Sequence, residues 1–207
     1  MPEGILPAVA GLGLGLALAG APGPVQAVLL TEALRGGTAR GLQAMAGANL
    51  TFGVLLLGLA LGLSLTAPSE SAVRILKVVG GGFLVWLALD GMRVRADRER
   101  RVAARRGLPP AARGALAVLI NPGAWLFLAT AASSLITAAA HVAGRGSAVL
   151  TALALLAGVA AGDGVVVVAG GLGMRRAGSK VGVRLQRGLA VGLAALGCWL
   201  VLSGLLG

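Results

Sequence analysis

Apolar residues gather into six long runs, roughly Ile5 to Leu34, Leu42 to Leu65, Ala72 to Met92, Gly114 to Ala140, Ser147 to Gly173 and Gly188 to Leu206. Each reaches the ~20 residues that a helix needs to cross the hydrocarbon core of a bilayer. The runs are uniform, not striped, so they read as helices with apolar surroundings on every side. The first and fourth are distinctly longer. They are also the two interrupted by proline, at Ala21-Pro22-Gly23-Pro24 and Asn121-Pro122-Gly123. Breaking a spanning helix frees N–H and C=O groups that lipid cannot satisfy, so such breaks persist only where they face protein or a polar cavity.

Composition agrees with this pattern. Apolar residues make up 57% of the 207 residues and charged residues only 12%, about half the share usual in soluble domains. The 35 glycines fit a tight helical bundle, because small residues let backbones approach closely where packing drives association. A cleaved signal peptide ending near Ala19-Gly20-Ala21 fits poorly, since Met1 to Gly4 holds Glu3 and no Lys or Arg.

The net charge of +11 does not indicate nucleic-acid binding, because the arginines lie in short connectors and not on a solvated stripe. They sort by topology. Fifteen of the 18 Lys and Arg fall after the first, third and fifth runs, leaving Arg74, Lys77 and Arg145 on the opposite side. The positive-inside rule then places the basic connectors in the cytoplasm and both termini outside.

The stretch from Val94 to Arg113, with Pro109-Pro110, divides the chain into repeat one (1–93), a basic cytoplasmic linker (94–113) and repeat two (114–207). Three runs per half mean that the second half enters the membrane in the opposite sense. Ala46-Gly47, Gly53-Val54 and Leu61-Gly62 recur as Ala157-Gly158, Gly164-Val165 and Leu172-Gly173 at one constant offset. The expected fold is an all-α membrane protein, a single transporter domain of six transmembrane helices. Its two inverted three-helix repeats, with helices 1 and 4 broken, would hold a site between the halves.

Depth along each helix, at ~1.5 Å per residue from the nearest cytoplasmic arginine, places Gly23, Asn49, Asn121 and Asp163 about 12 to 18 Å deep, near the midplane. Asp163 carries the sharpest signal. An ionised carboxylate at the bilayer centre costs ~3 kcal/mol or more, so it stays neutral, meets a cationic ligand, or serves as a hydrogen-bonded structural group. After each break the restarting helix offers N–H groups and a partial positive end. Val25, Gln26 and Ala27 after Pro24, and Gly123 and Ala124 after Pro122, could thus hold a carboxylate; a simple packing kink is the alternative. Glu32 and Asp90 lie close to Arg35 and Arg93 at the cytoplasmic boundary, where charge pairing explains them. Cys198 is single, which excludes a disulfide framework or a thiol redox pair within the chain.

The segments PGPVQAVLLTEALRGGTARGLQAMAGAN, LKVVGGGFLVWLALDGMR, LINPGAWLFL and GDGVVVVAGGLG occur in this order over nearly the whole chain. As an ordered set they resemble the lysine exporter (LysE-type) superfamily, which includes homoserine/threonine exporters. The resemblance implies a six-span protein of the cytoplasmic (inner) membrane exporting amino acids or related small metabolites by antiport driven by the proton-motive force. On the matched positions, Pro22, Gly23, Pro24, Asn121, Pro122 and Asp163 would be functional. Departures are the missing acidic residue between Gly47 and Gly58 and Phe83 where a Tyr often stands, both of which disfavour a cationic side chain on the substrate.

The expectation is therefore a secondary transporter, not an enzyme, for zwitterionic amino acids or related metabolites. Pro22, Gly23, Pro24, Gln26, Asn49, Asn121, Pro122, Gly123 and Asp163 would form the substrate site, with Asp163 also carrying the coupled proton. No cofactor, metal or nucleic acid is expected; membrane lipids are, and a homo-oligomer stays open. The alternative is a structural, lipid-handling or metal-handling membrane protein of the same superfamily.

Overall fold

The computed structural model describes residues 4–21, 23–62, 69–93, 108–176 and 179–206. Pro22, Pro68 and residues 94–107 of the basic linker lie outside the described residues, as do the side chains of 90–93, 173–186 and 189. Among the described residues the chain is helical, without strands: α1 (Ile5–Gly20), α2 (Pro24–Ala60), α3 (Glu70–Arg93), α4 (Pro110–Leu119), α5 (Pro122–Phe127), α6 (Ser133–Arg176) and α7 (Ser179–Leu206). A π-helical stretch, Leu128–Ala132, carries α5 into α6. Pro24–Ala60, Glu70–Leu89 and Pro122–Leu172 are each long and apolar enough to cross a membrane, and Ile5–Gly20, Pro110–Leu119 and Ala190–Leu206 are shorter apolar helices.

Two of these helices fold back on themselves. In α2 the turn lies at Gly36 (φ −139°, ψ 19°) and Gly37 (φ 77°, ψ −176°). Eight residues of straight helix would separate Ala33 from Gly41 by about 12 Å, yet a Cβ on Gly41 would lie 2.8 Å from that of Ala33. In α6 the turn lies at Ala143 (φ −143°, ψ 27°) and Gly144 (φ 73°, ψ −172°), nearly the same four angles. Leu128 and Leu155, flanking it, belong to one core cluster, though a straight helix would hold them about 40 Å apart.

Resolving the turns recovers six runs in the order expected. The first comprises α1 and residues 24–35, the second 38–60, the third α3, the fourth α4 with 122–142, the fifth 145–176 and the sixth α7. The fourth starts at Pro110, four residues before the apolar run does, because Arg113 is buried with a charge partner and proline suits the first helical position. Gly37 and Gly144 occupy a backbone region that side chains rarely enter. Replacing either by Ala is expected to cost about 1 to 3 kcal/mol, measurable as a lower unfolding temperature in detergent.

Glycine sets which helices touch. A Cβ on Gly47 would strike the backbone of Ala111 in α4, and one on Gly114 the backbone of Ala44. Likewise Gly15 of α1 lies against Leu155, and Gly158 against Leu12. Gly81 of α3 and Gly197 of α7 face each other in the same way. Thus the second run packs on α4, the fifth on α1, and α3 on α7. The largest core cluster, including Phe52, Leu56, Leu128, Ile136 and Leu155, fills the space between the second, fourth and fifth runs on the side away from the basic connectors.

Candidate functional site

Both proline breaks open onto one space. Between α1 and α2 the chain is extended at Gly23 (φ −161°, ψ −179°), and α2 restarts with Pro24 at its first position. Between α4 and α5 it is extended at Asn121 (φ −87°, ψ 107°), and α5 restarts with Pro122. Gly23, Pro24, Gln26, Asn49, Asn121, Gly123 and Asp163 together line a cavity of about 230 Å³, with Phe52, Val118 and Val159 as apolar walls. Seven of the nine residues singled out from sequence therefore converge. Pro22 lies outside the described residues. Pro122 is buried behind the cavity, bordering with Pro24 and Phe83 a void of about 10 Å³.

Asp163 is 1% exposed and is the only ionisable residue lining the cavity among those described. The Gln26 amide Nε2 donates to its Oδ1 at 3.4 Å. Its Oδ2 is buried without a hydrogen-bond partner among the described residues, as are both polar atoms of the Asn49 side chain. Buried polar groups are normally paired, and these three atoms belong to residues on two helices that line the cavity. They form a ready set: one carboxylate oxygen and one amide able both to donate and to accept.

The two breaks are not equivalent. At α5 the Gly123 N–H donates to Asn121 Oδ1 at 3.0 Å and the Ala124 N–H to the Asn121 carbonyl at 3.1 Å. The two donors expected to receive a carboxylate there are already taken, because Asn121 caps its own helix. At α2 no side chain caps the end. Ala27 N–H is held by the Gly23 carbonyl at 3.0 Å, which leaves Val25 and Gln26 at the cavity wall with no side-chain cap hydrogen bond at the helix end. The positive pole of α2 thus faces the cavity more openly than that of α5.

Sequence reading missed two features. A half-open apolar groove of about 770 Å³ runs past Leu16, Leu30, Gly162, Val166, Gly192 and Leu196 and meets the cavity at Ala21, Gly23 and Gln26. Its walls are ordinary spanning-helix residues, so no local pattern marks it. Glu32, read as an interfacial residue paired with Arg35, is fully buried. It does pair with Arg35 (3.5 Å), and also with Arg40 (2.5 Å) and Arg113 (3.1 Å). Only folding brings residues 32 and 113 together.

A family model described as LysE type translocator matches residues 16–204. No curated protein and no solved structure matches the chain.

Proposed function

Given that the chain belongs to the LysE type translocator family, membrane exporters of amino acids or related compounds, we propose that it exports small neutral zwitterionic amino acids in exchange for protons. The observation that carries this reading is the unpartnered Asp163 Oδ2 at the wall of a cavity that also takes in the uncapped start of α2. The substrate ammonium pairs with Asp163 and the Asn49 carbonyl oxygen. Its carboxylate lies at the Val25 and Gln26 end of α2, where the helix dipole favours negative charge. Among the described residues no second acidic group for a cationic side chain lines the cavity. The volume falls below the ~300–1,000 Å³ of pockets for drug-sized ligands, which suits a molecule of a few heavy atoms.

Coupling follows from having one carboxylate and two cations to satisfy. Asp163 holds the substrate ammonium on the way out and a proton on the return, so that neither leg carries a bare carboxylate through the membrane. The matching turn angles, Gly47 and Gly158 at one offset packing each half on the other's broken helix, and the two breaks support an inverted repeat. That plan, with the basic connectors in the cytoplasm of an inner-membrane protein and both termini outside, gives two faces between which the site alternates.

The test is counterflow in liposomes with a panel of amino acids. Neutral zwitterions are expected to exchange; their N-acetyl and methyl-ester derivatives, each lacking one charged end, are expected to exchange at least about tenfold more slowly, the effect of losing one charge-assisted contact. Equal exchange of either derivative overturns the assignment of that end.

A further inference from the structure

Toward the basic connectors the cavity is followed by a small buried apolar cluster, Leu29, Ala33, Ala44 and Val167, and by an ionic knot. Glu32 lies six residues beyond Gln26, Arg113 eight before Asn121 and Arg40 nine before Asn49, so along their helices all stand about 9 to 14 Å from the cavity level. They meet at the Glu32 carboxylate. Arg40 Nε reaches Oε2 at 2.5 Å, and Arg113 Nη1 and Arg35 Nη1 reach Oε1 at 3.1 and 3.5 Å. Two of the arginines extend the knot to α3. Arg35 Nη2 donates to the Leu87 carbonyl at 3.1 Å, and the Arg113 guanidinium lies over the Trp86 ring at 5.3 Å. Four runs are thereby tied at one level around a carboxylate that is 0% exposed.

The opposite end is closed differently. There the second, fourth and fifth runs meet through Leu56, Leu59, Leu128, Ile136 and Leu155, a dry apolar core. Separating apolar surfaces exposes them to water with nothing in return. Separating an ion knot admits water that solvates each released charge, which offsets much of the lost pairing. The end that carries the knot, with the smaller apolar layer of the two, is thus the one that can part and reclose while the rest of the bundle stays packed.

We propose that Glu32, with Arg35, Arg40 and Arg113, is the latch of a gate on the basic-connector side, closed in this structure and parting to admit substrate to Asp163. The proposal rests on reading the cavity as the transport site, but its test does not use transport. In a Cys198→Ala background, Ala48→Cys places a thiol on the cavity wall. A membrane-impermeant thiol reagent is applied to each face of sealed vesicles in turn.

With the knot intact, labelling from the basic-connector face is slow. Glu32→Gln, which removes the carboxylate that all three arginines share, is expected to speed it by at least about tenfold, with no change from the other face. Arg40→Gln, whose side chain is 38% exposed and so tolerates removal, is expected to act in the same direction, and the double variant to add nothing further. Should Glu32→Gln fail to fold, Arg40→Gln decides alone. Unchanged labelling in a folded variant, or a rise equal from both faces, overturns the latch. An unmodified protein that exports no amino acid would instead overturn the function proposed above while leaving the labelling result intact.

Discussion

Asp163→Asn is expected to leave the protein folded and inserted while reducing proton-driven export to background. The substitution keeps the size of the side chain and its hydrogen bond with Gln26 (3.4 Å), since the remaining carbonyl oxygen still accepts. It removes the one ionisable group lining the cavity among the described residues. A hydrogen bond to a charged group is worth ~1.5–3 kcal/mol, so binding should weaken by about tenfold to a hundredfold. Uphill movement should fall further, because Asn cannot carry a proton. The measurement is accumulation in liposomes under an imposed pH gradient, beside equilibrium counterflow of the same substrate. Residual counterflow with no accumulation is the expected pair of results. Full accumulation by the variant would remove Asp163 from the mechanism and leave the α2 end as the only feature of the site.

Gly47→Val is expected to have the largest effect on folding. The added Cβ would overlap the carbonyl oxygen and backbone of Ala111, which cannot rotate aside as a side chain can. The second run would have to move off α4, opening the Gly114–Ala44 contact one turn away and loosening the cavity wall that Asn49 and Val118 share. Overpacking a tight contact costs ~1–3 kcal/mol, and more where backbone meets backbone. Gly158→Val should act alike through Leu12. Gly13→Ala and Gly164→Ala, where a Cβ would meet nothing within 4 Å, should be silent. Monodisperse yield and unfolding temperature in detergent distinguish the two groups. Equal behaviour of all four variants would mean that these glycines do not set the helix spacing.

Much of this architecture was legible in the sequence because the bilayer leaves few choices. Lipid forces backbone groups to pair within each spanning segment, so six apolar runs had to be helices, and Pro24 and Pro122 had to mark the interruptions. Level along the bundle was legible too, since helical rise is fixed: Asn49, Asn121 and Asp163 line one cavity. The difference between the breaks was not. Asn121 Oδ1 turns inward onto the Gly123 N–H at 3.0 Å, a choice of rotamer that register does not determine.

Glu32 shows the same boundary from the other side. Its proximity to Arg35 follows from helical spacing, whereas its pairing with Arg113 spans 81 residues and needs the contact of the second run with α4. The apolar groove beside Gln26 is likewise a space left between helices, and no residue type encodes a space. By itself the sequence determined what each segment must do alone: form a long apolar helix, break at proline, and hold Asp163 at the level of the breaks. Its backbone hydrogen bonds and transfer costs are local to the segment. The tertiary structure decided which faces meet, and so which polar atoms stay unpaired, because packing depends on the shapes of surfaces far apart in the chain.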